Sequence, residues 1–264
     1  MKTNRKYQAN LTVICNHRLT ESYHLLQLQM PTEIDAIPAP GQFVDLLIEN
    51  NPNVFLRRPI SVHVYHGKFH SIELLIKIVG KGTQALSHLK AGDEVNTLFF
   101  LGNAFDPPSE NDKVLLVAAG AGIAPLYFAL NLWHKNNHSI SLLYATRTKN
   151  ELVRLEEITS IIQDVEIMTE DGSAGKQGRI IEHPWLTENI TQFDRIYACG
   201  PDPVLQWLTK KFKNNTHTSV QVSLEHRMAC GFGVCLGCVV KTQHGYIRTC
   251  VDGPVFNINE LFYE

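Results

Sequence analysis

Along the first hundred residues, apolar and polar positions change sides at nearly every step, in short runs separated by Gly, Pro and Asn: Tyr7 to Cys15, Tyr23 to Met30, Phe43 to Glu49, Ile60 to His66 and Phe69 to Val79. In the last run Ile72, Leu74, Ile76 and Ile78 share one face and Glu73 and Lys77 the other, the period of a half-buried strand. Gly67-Lys68 predicts a hairpin between the last two runs, and Glu94 to Leu101 a closing strand. Six antiparallel strands interrupted only by a helical pattern at Gln84 to Leu89 predict a small barrel.

The period then changes. Lys113 to Ala119 reads as a buried strand, followed by Gly120-Ala121-Gly122 and a helical pattern at Tyr127 to His134. Strands at Ser139 to Ala145, Val165 to Thr169, Arg195 to Cys199 and Ser219 to Leu224 alternate with helices at Glu151 to Ile162 and Pro203 to Lys211. That alternation predicts a parallel sheet whose ligands bind at the carboxyl ends of the strands. The dinucleotide fingerprint is not met, because Pro125 stands where its third glycine belongs; proline is well tolerated in a first helical turn. Asp171-Gly172-Ser173 and Gly175 fit a loop over the same crevice, or a plain surface loop. The predicted fold class is a β-barrel plus α/β, divided as 1–105, 106–222 and a small appendage at 223–264.

Composition adds mainly exclusions. Hydrophobic residues make up 44% and the net charge is −2, so no basic surplus points to nucleic acid. The least polar stretch, Val114 to Leu130, is interrupted by Gly120, Gly122 and Pro125 and falls short of the roughly 20 residues needed to span a bilayer. Met1-Lys2-Thr3-Asn4-Arg5-Lys6 is basic, but the only apolar run after it is Leu11 to Cys15, which predicts a reducing, cytoplasmic setting.

The chemistry concentrates near the C-terminus. Cys230, Cys235 and Cys238 stand in a Cys-x4-Cys-x2-Cys run, with Cys250 following, which is the spacing of a plant-type 2Fe–2S site. Glycines between the thiols suit a loop that converges on a small inorganic core. Disulfides belong to short secreted chains. Structural zinc is the stronger rival, although zinc ribbons use two Cys-x2-Cys knuckles and this chain has one. Cys15 and Cys199 fall outside the run and read as inert thiols. Two further motifs are weaker. Arg57-Arg58-Pro59-Ile60-Ser61 sets a phosphate-matching guanidinium and a hydroxyl at a strand start, or is a solvated edge. Gly80-Lys81-Gly82-Thr83 precedes the helical pattern, with Thr83 as its expected N-cap and an anion site or a simple turn as its meaning. None of the 12 histidines is read as a metal ligand, and no catalytic acid or base is expected.

Taken in order, Arg-x-Pro-x-Ser, Gly-x-Gly-Thr, Gly-x-Gly-x-x-Pro-Leu and Cys-Gly-Pro resemble the ferredoxin–NADP reductase superfamily. Glu225-x-x-Met228-x-Cys230-Gly231-x-Gly233-x-Cys235-x-x-Cys238 and Cys250-x-Asp252-Gly253-Pro254-Val255-Phe256 resemble, more narrowly, the electron-transfer subunits of NAD-linked dihydroorotate dehydrogenases of bacterial pyrimidine synthesis. The resemblance covers essentially the whole chain and implies FAD, a 2Fe–2S cluster and NAD as acceptor. It implies that Arg58, Pro59, Ile60, Ser61, Leu75, Ile76, Lys77, Gly82 and Thr83 hold FAD. Gly120, Gly122, Pro125, Cys199 and Gly200 would form the NAD site, and Cys230, Cys235, Cys238 and Cys250 would carry the cluster. It also implies an FMN-containing catalytic subunit as partner, in a two-plus-two heterotetramer, with electrons passing from FMN to cluster to FAD to NAD. One departure is visible: the family's Gly-Pro-Leu-Gly-Asn after the barrel is here Phe99-Phe100-Leu101-Gly102-Asn103, which leaves the contacts of this linker open. Arg147 leaves a 2′-phosphorylated dinucleotide open on physical grounds. The rival readings are a free-standing NAD(P)H-dependent reductase serving a ferredoxin, oxygenase or sulfur acceptor, and a non-enzymatic zinc- or cluster-binding regulator.

Overall fold

A computed structural model of the chain describes residues 6–49, 54–136, 138–188, 190–213, 215–243 and 245–263. Its N-terminal part is a closed barrel of β1 (Tyr7–Arg18), β2 (Tyr23–Gln29), β3 (Phe43–Leu46), β4 (Arg58–His66), β5 (Ser71–Lys77) and β6 (Glu94–Leu101). Neighbours around the barrel run β1-β2-β5-β4-β3-β6, all antiparallel, and α1 (Lys81–Ser87) joins β5 to β6. Alternation decides what fills it: Leu11, Val13, Leu26, Leu28, Val44, Leu46, Ile72, Leu74 and Ile76 turn inward and close the core.

The second part is a seven-stranded sheet in the order β10-β9-β8-β7-β11-β12-β15. Its strands are β7 (Lys113–Ala119), β8 (Ser139–Thr146), β9 (Val165–Thr169), β10 (Lys176–Gln177), β11 (Arg195–Cys199), β12 (Ser219–Ser223) and, after a hairpin of β13 (Val239–Thr242) and β14 (Gly245–Arg248), β15 (Val255–Asn257). All pairings in the sheet are parallel except β12 with β15. One face is covered by α2 (Ile123–Lys135) and α3 (Leu155–Ile161), the other by α4 (Pro184–Thr187) and α5 (Asp202–Phe212). Tyr23, Leu25 and Leu75 of the barrel belong to the core under α2, and Phe128 of α2 packs into the barrel core. The two parts therefore share apolar contacts as well as a boundary.

Two expectations are corrected. Helix α1 begins at Lys81 rather than Gln84, with Gly80 as N-cap, so Thr83 is not the cap. Thr83 sits in the first turn, where its Oγ1 accepts from the N–H of Val79 at 2.9 Å and of Gly80 at 3.3 Å, satisfying donors before the helix rather than inside it. The helix expected over Glu151 to Ile162 breaks: Lys149–Glu151 is a 3₁₀ turn, Arg154 has φ 60, and α3 begins only at Leu155. Tertiary contacts override helix propensity there, because Arg154 is drawn to Glu73 of the barrel at 2.6 Å and Glu151 to Lys77 at 2.8 Å. The appendage also hands β15 back to the sheet, a connection that the alternation pattern did not reveal. No helix among the described residues is long and apolar enough to cross a membrane.

Candidate functional site

Where β4 begins, a cleft of about 600 Å³ opens between barrel and sheet, lined by Arg58, Pro59, Ile60, Ser61, Leu75, Lys77 and Thr83 among others. Pairing of β4 with β5 places Ser61 and Leu75 on adjacent strands, and the turn into α1 brings Gly82 beneath Arg58. A Cβ on Gly82 would overlap the Arg58 guanidinium, so only glycine lets that cation lie on the first turn of α1. Ile76 differs from its neighbours: strand alternation buries its side chain in the barrel core, leaving only its backbone for the cleft. The Tyr23 hydroxyl is a buried polar atom without a hydrogen-bond partner among the described residues, and its ring lies under the Lys77 ammonium at 5.3 Å.

A second cleft, of about 450 Å³, opens at the carboxyl ends of β7, β8 and β11 and is lined by Gly120, Arg147, Arg179 and Pro201. Gly120 turns the chain with φ +56. A Cβ on Gly122 would overlap the Cys199 carbonyl oxygen, and one on Gly200 would lie 2.6 Å from the Ala119 Cβ. The glycine turn and Cys199-Gly200 are thus packed backbone to backbone, as parallel neighbours β7 and β11 require. Pro125 and Cys199 are buried behind this wall. Burial, with Glu225 adding to it, pushes the Cys199 thiol well above its ordinary range, so it is a neutral group.

The two clefts are continuous, sharing Lys77, Val79, Ala121 and Glu225 as common wall. Lys77 is ion-paired to Glu151 at 2.8 Å. Glu225 is raised by burial, against the pull of Lys77, and so holds a proton more readily than an ordinary carboxyl. Sequence reading gave Glu225 no role, although its place just after β12, opposite the Cys-Gly-Pro turn, was a visible signal.

At the far side of the first cleft stands Met228, which lines it and packs with Phe43, Leu101, Cys238 and Cys250 in one small apolar cluster. Around this cluster the four thiols gather in two pairs. The Cys238 sulfur accepts from the Cys250 N–H at 3.4 Å, and Cys230 interacts with Cys235. Burial raises Cys230, but backbone donors at Cys235, Phe232 and Val234 outweigh it and bring the thiol down to about 6. Cys250 is pushed up to about 12 by burial and then by Cys238 and Cys230. Among the described residues, no three His, Cys, Asp or Glu side chains are gathered as a single ion would need. Two thiol pairs, each with backbone N–H groups on its sulfurs, suit a two-iron core that takes two thiolates on each iron. The linker left open by the sequence has its contacts here. Asn103 donates to the carbonyls of Asp252 and Val255 at 3.1 and 2.8 Å, and its own oxygen accepts from the Val255 N–H at 2.9 Å. Cys15 is partly buried on the barrel, remote from the thiol pairs in the chain's order and bonded to Gln27 at 3.4 Å.

Comparison with known proteins agrees with this layout. A family model described as the iron-sulfur cluster binding domain of dihydroorotate dehydrogenase B matches residues 225–262. A protein of Clostridium perfringens named dihydroorotate dehydrogenase B (NAD(+)), electron transfer subunit, is 34% identical over 242 residues, covering 92% of this chain and 93% of its own. A Bacillus pumilus protein of the same name is 31% identical over 260 residues, covering 96% and 98%. Among solved structures, an NADH-dependent reduced ferredoxin-NADP oxidoreductase, studied for flavin-based electron bifurcation, superposes with a TM-score of 0.81 at 27% identity, over 97% of this chain and 90% of that one. The ferredoxin reductase of carbazole 1,9a-dioxygenase shares the fold, with a TM-score of 0.69 at 22% identity over 83% and 70%. Full-length likeness at this identity, together with the paired thiols beside two joined clefts, places the chain in the family of dihydroorotate dehydrogenase B electron transfer subunits.

Proposed function

We propose that this chain carries electrons between a dihydroorotate-oxidising catalytic subunit and NAD(+), holding FAD in the cleft at Arg58 and Ser61, the dinucleotide in the cleft at Gly120, and a 2Fe–2S cluster on Cys230, Cys235, Cys238 and Cys250. The observation that carries the reading is the order of the three sites. Met228 is common to the thiol cluster and the first cleft, while Lys77, Val79, Ala121 and Glu225 are common to the first and second. When bound, the cluster supplies single-electron transfer, NAD hydride transfer, and FAD, as the carrier able to do both, the exchange between them.

The chain's own residues position and insulate. Arg58, lying on the first turn of α1 at Gly82, offers a fork of donors matched to a diphosphate, and Thr83 orders the residues leading into that turn. Leu75 and Pro59 present apolar surface to a ring system, and Ser61 a hydroxyl. Gly120, Gly122 and Gly200 let a dinucleotide approach the strand ends closely, with protonatable Glu225 beside it and neutral Cys199 behind the wall. Around exposed Cys235, the side chains of Phe232, Val234 and Leu236 are 46, 74 and 61% exposed and form an apolar rim suited to docking a partner protein. The same reading includes a two-plus-two assembly with an FMN-containing subunit, a cytoplasmic setting that keeps the thiols reduced, and the division 1–105, 106–222 and 223–264. Limited proteolysis tests that division.

The function is tested by anaerobic reconstitution with iron, sulfide and FAD, titration with NADH, and co-purification. The expected result is flavin reduction followed by cluster reduction, and capture of an orotate-forming flavoprotein. A chain that reduces a soluble acceptor equally well alone would instead support the free-standing reductase.

A further inference from the structure

On β3, alternation sends Val44 and Leu46 into the barrel and turns Phe43 and Asp45 outward, onto the face that the cysteine segment covers. Asp45 is 0% exposed, and neither carboxylate oxygen has a hydrogen-bond partner among the described residues. The nearest guanidinium is engaged elsewhere: Arg57 donates to the backbone carbonyls of Asp45 and Asn96 at 3.1 and 3.0 Å. Asp45 faces Gly231, the residue after Cys230, so closely that a Cβ there would lie 2.6 Å from its Oδ2. Gly231 has φ +70, so the turn that carries Cys230 is shaped by glycine and rests on this carboxyl. An amide or an apolar side chain would be easier to bury, so packing does not explain the acid; bare buried polar groups of this kind call for a functional account.

We propose that Asp45 sets the reduction potential of the four-cysteine centre, acting as a buried negative charge behind the Cys230-Gly231 turn. The inference rests on the reading that these cysteines hold a 2Fe–2S cluster. Across a dry, low-dielectric gap, a carboxylate opposes the arrival of an electron and keeps the centre strongly reducing. Asp45 touches neither electron donor nor acceptor and is a positioning residue in the electrostatic sense. Burial pushes its carboxyl up, against the pull of Arg57, so the charge is present in full only on the alkaline side.

The test uses the full chain loaded with cluster and FAD, titrated at about pH 9 so that the carboxyl is ionised. Asp45→Asn keeps the shape and removes the charge. Followed by the paramagnetic signal of the reduced centre, it should show a roughly tenfold higher ratio of reduced to oxidised cluster at a fixed potential, a positive shift of about 59 mV for one electron. Asp45→Leu should shift the same way, which separates lost charge from a new amide hydrogen bond. An unchanged midpoint in cluster-loaded Asp45→Asn overturns the proposal. Loss of cluster assembly in both variants also overturns it, because the residue's role would then be structural. As an independent readout, both substitutions should raise the melting temperature of the metal-free chain at the same pH, and a fall would show that the carboxylate is not bare. A wild-type chain that takes up no iron and sulfide would sink the iron–sulfur reading itself.

Discussion

At the cleft proposed for the dinucleotide, the wall is held by the fold itself. Gly120, Gly122, Cys199 and Gly200 sit at the ends of paired parallel strands, with carbonyl against glycine and no room for a side chain between them. At the cysteine segment the reverse holds. From Leu224 to Cys238 the chain has no regular element, its turns depend on Gly231 at φ +70 and Gly233 at φ +86, and Cys235 is exposed. The first site is shaped by backbone packing, and the second by glycine turns around the four thiols, backed by the barrel face at Phe43, Asp45 and Leu101. Substitutions should therefore act differently in the two places: by steric strain and lost stability in one, by lost metal binding in the other.

The largest effect is expected from Cys235→Ser, which should abolish electron delivery to the partner while leaving flavin reduction by NADH largely intact. Stopped-flow absorbance of the flavin and an orotate-coupled assay separate the two. Next comes Gly122→Ala. Its φ suits any residue, but the added methyl meets the Cys199 carbonyl, so about 3 kcal/mol of stability should be lost, read by denaturant unfolding, together with NADH-dependent flavin reduction. If this variant is as stable as wild type, the rigid-wall picture of the dinucleotide cleft fails. Arg58→Ala should weaken FAD retention by roughly 10- to 100-fold, the worth of a charged hydrogen-bonding group, without changing iron content. Equilibrium dialysis against FAD and an iron assay check both halves.

The smallest effect concerns pH. His63 is fully buried between barrel and sheet, with Nδ1 bonded to the Ala124 carbonyl at 3.0 Å and its ring stacked on Tyr127. Burial, reinforced by Arg154 and opposed by that hydrogen bond, lowers its pKa to about 3. The unfolded chain then binds the proton that the folded one refuses, so His63 contributes loss of stability as pH falls from about 6.5 toward about 3, and none above it. His63→Gln should flatten melting temperature against pH in that window, and an unchanged slope would place the acid sensitivity elsewhere.

Much of the layout was readable from residue order alone. The period-two runs located all six barrel strands, and β7, β9 and β11 begin and end where the apolar runs do. The four thiols were legible because ligand spacing is a local property. What escaped was set by distant partners. The break at Arg154 answers to Glu73, the return of β15 to the sheet answers to β12, and Ile76 was grouped with its neighbours although alternation turns it inward. Asp45 left a faint trace, one acid in the apolar run from Phe43 to Ile48. Only the covering segment shows that it is buried. The linker Phe99 to Asn103 could not be interpreted until Asp252 and Val255 were seen against it.

The order of the three sites is the central claim, and it is tested most directly by leaving one of them empty. Cluster-loaded chain is prepared without air, with and without FAD, and mixed with NADH while cluster absorbance is followed. The account predicts rapid bleaching only when FAD is present, because among the described residues no wall residue is common to the second cleft and the thiol cluster. Equally fast bleaching in the FAD-free chain would contradict it.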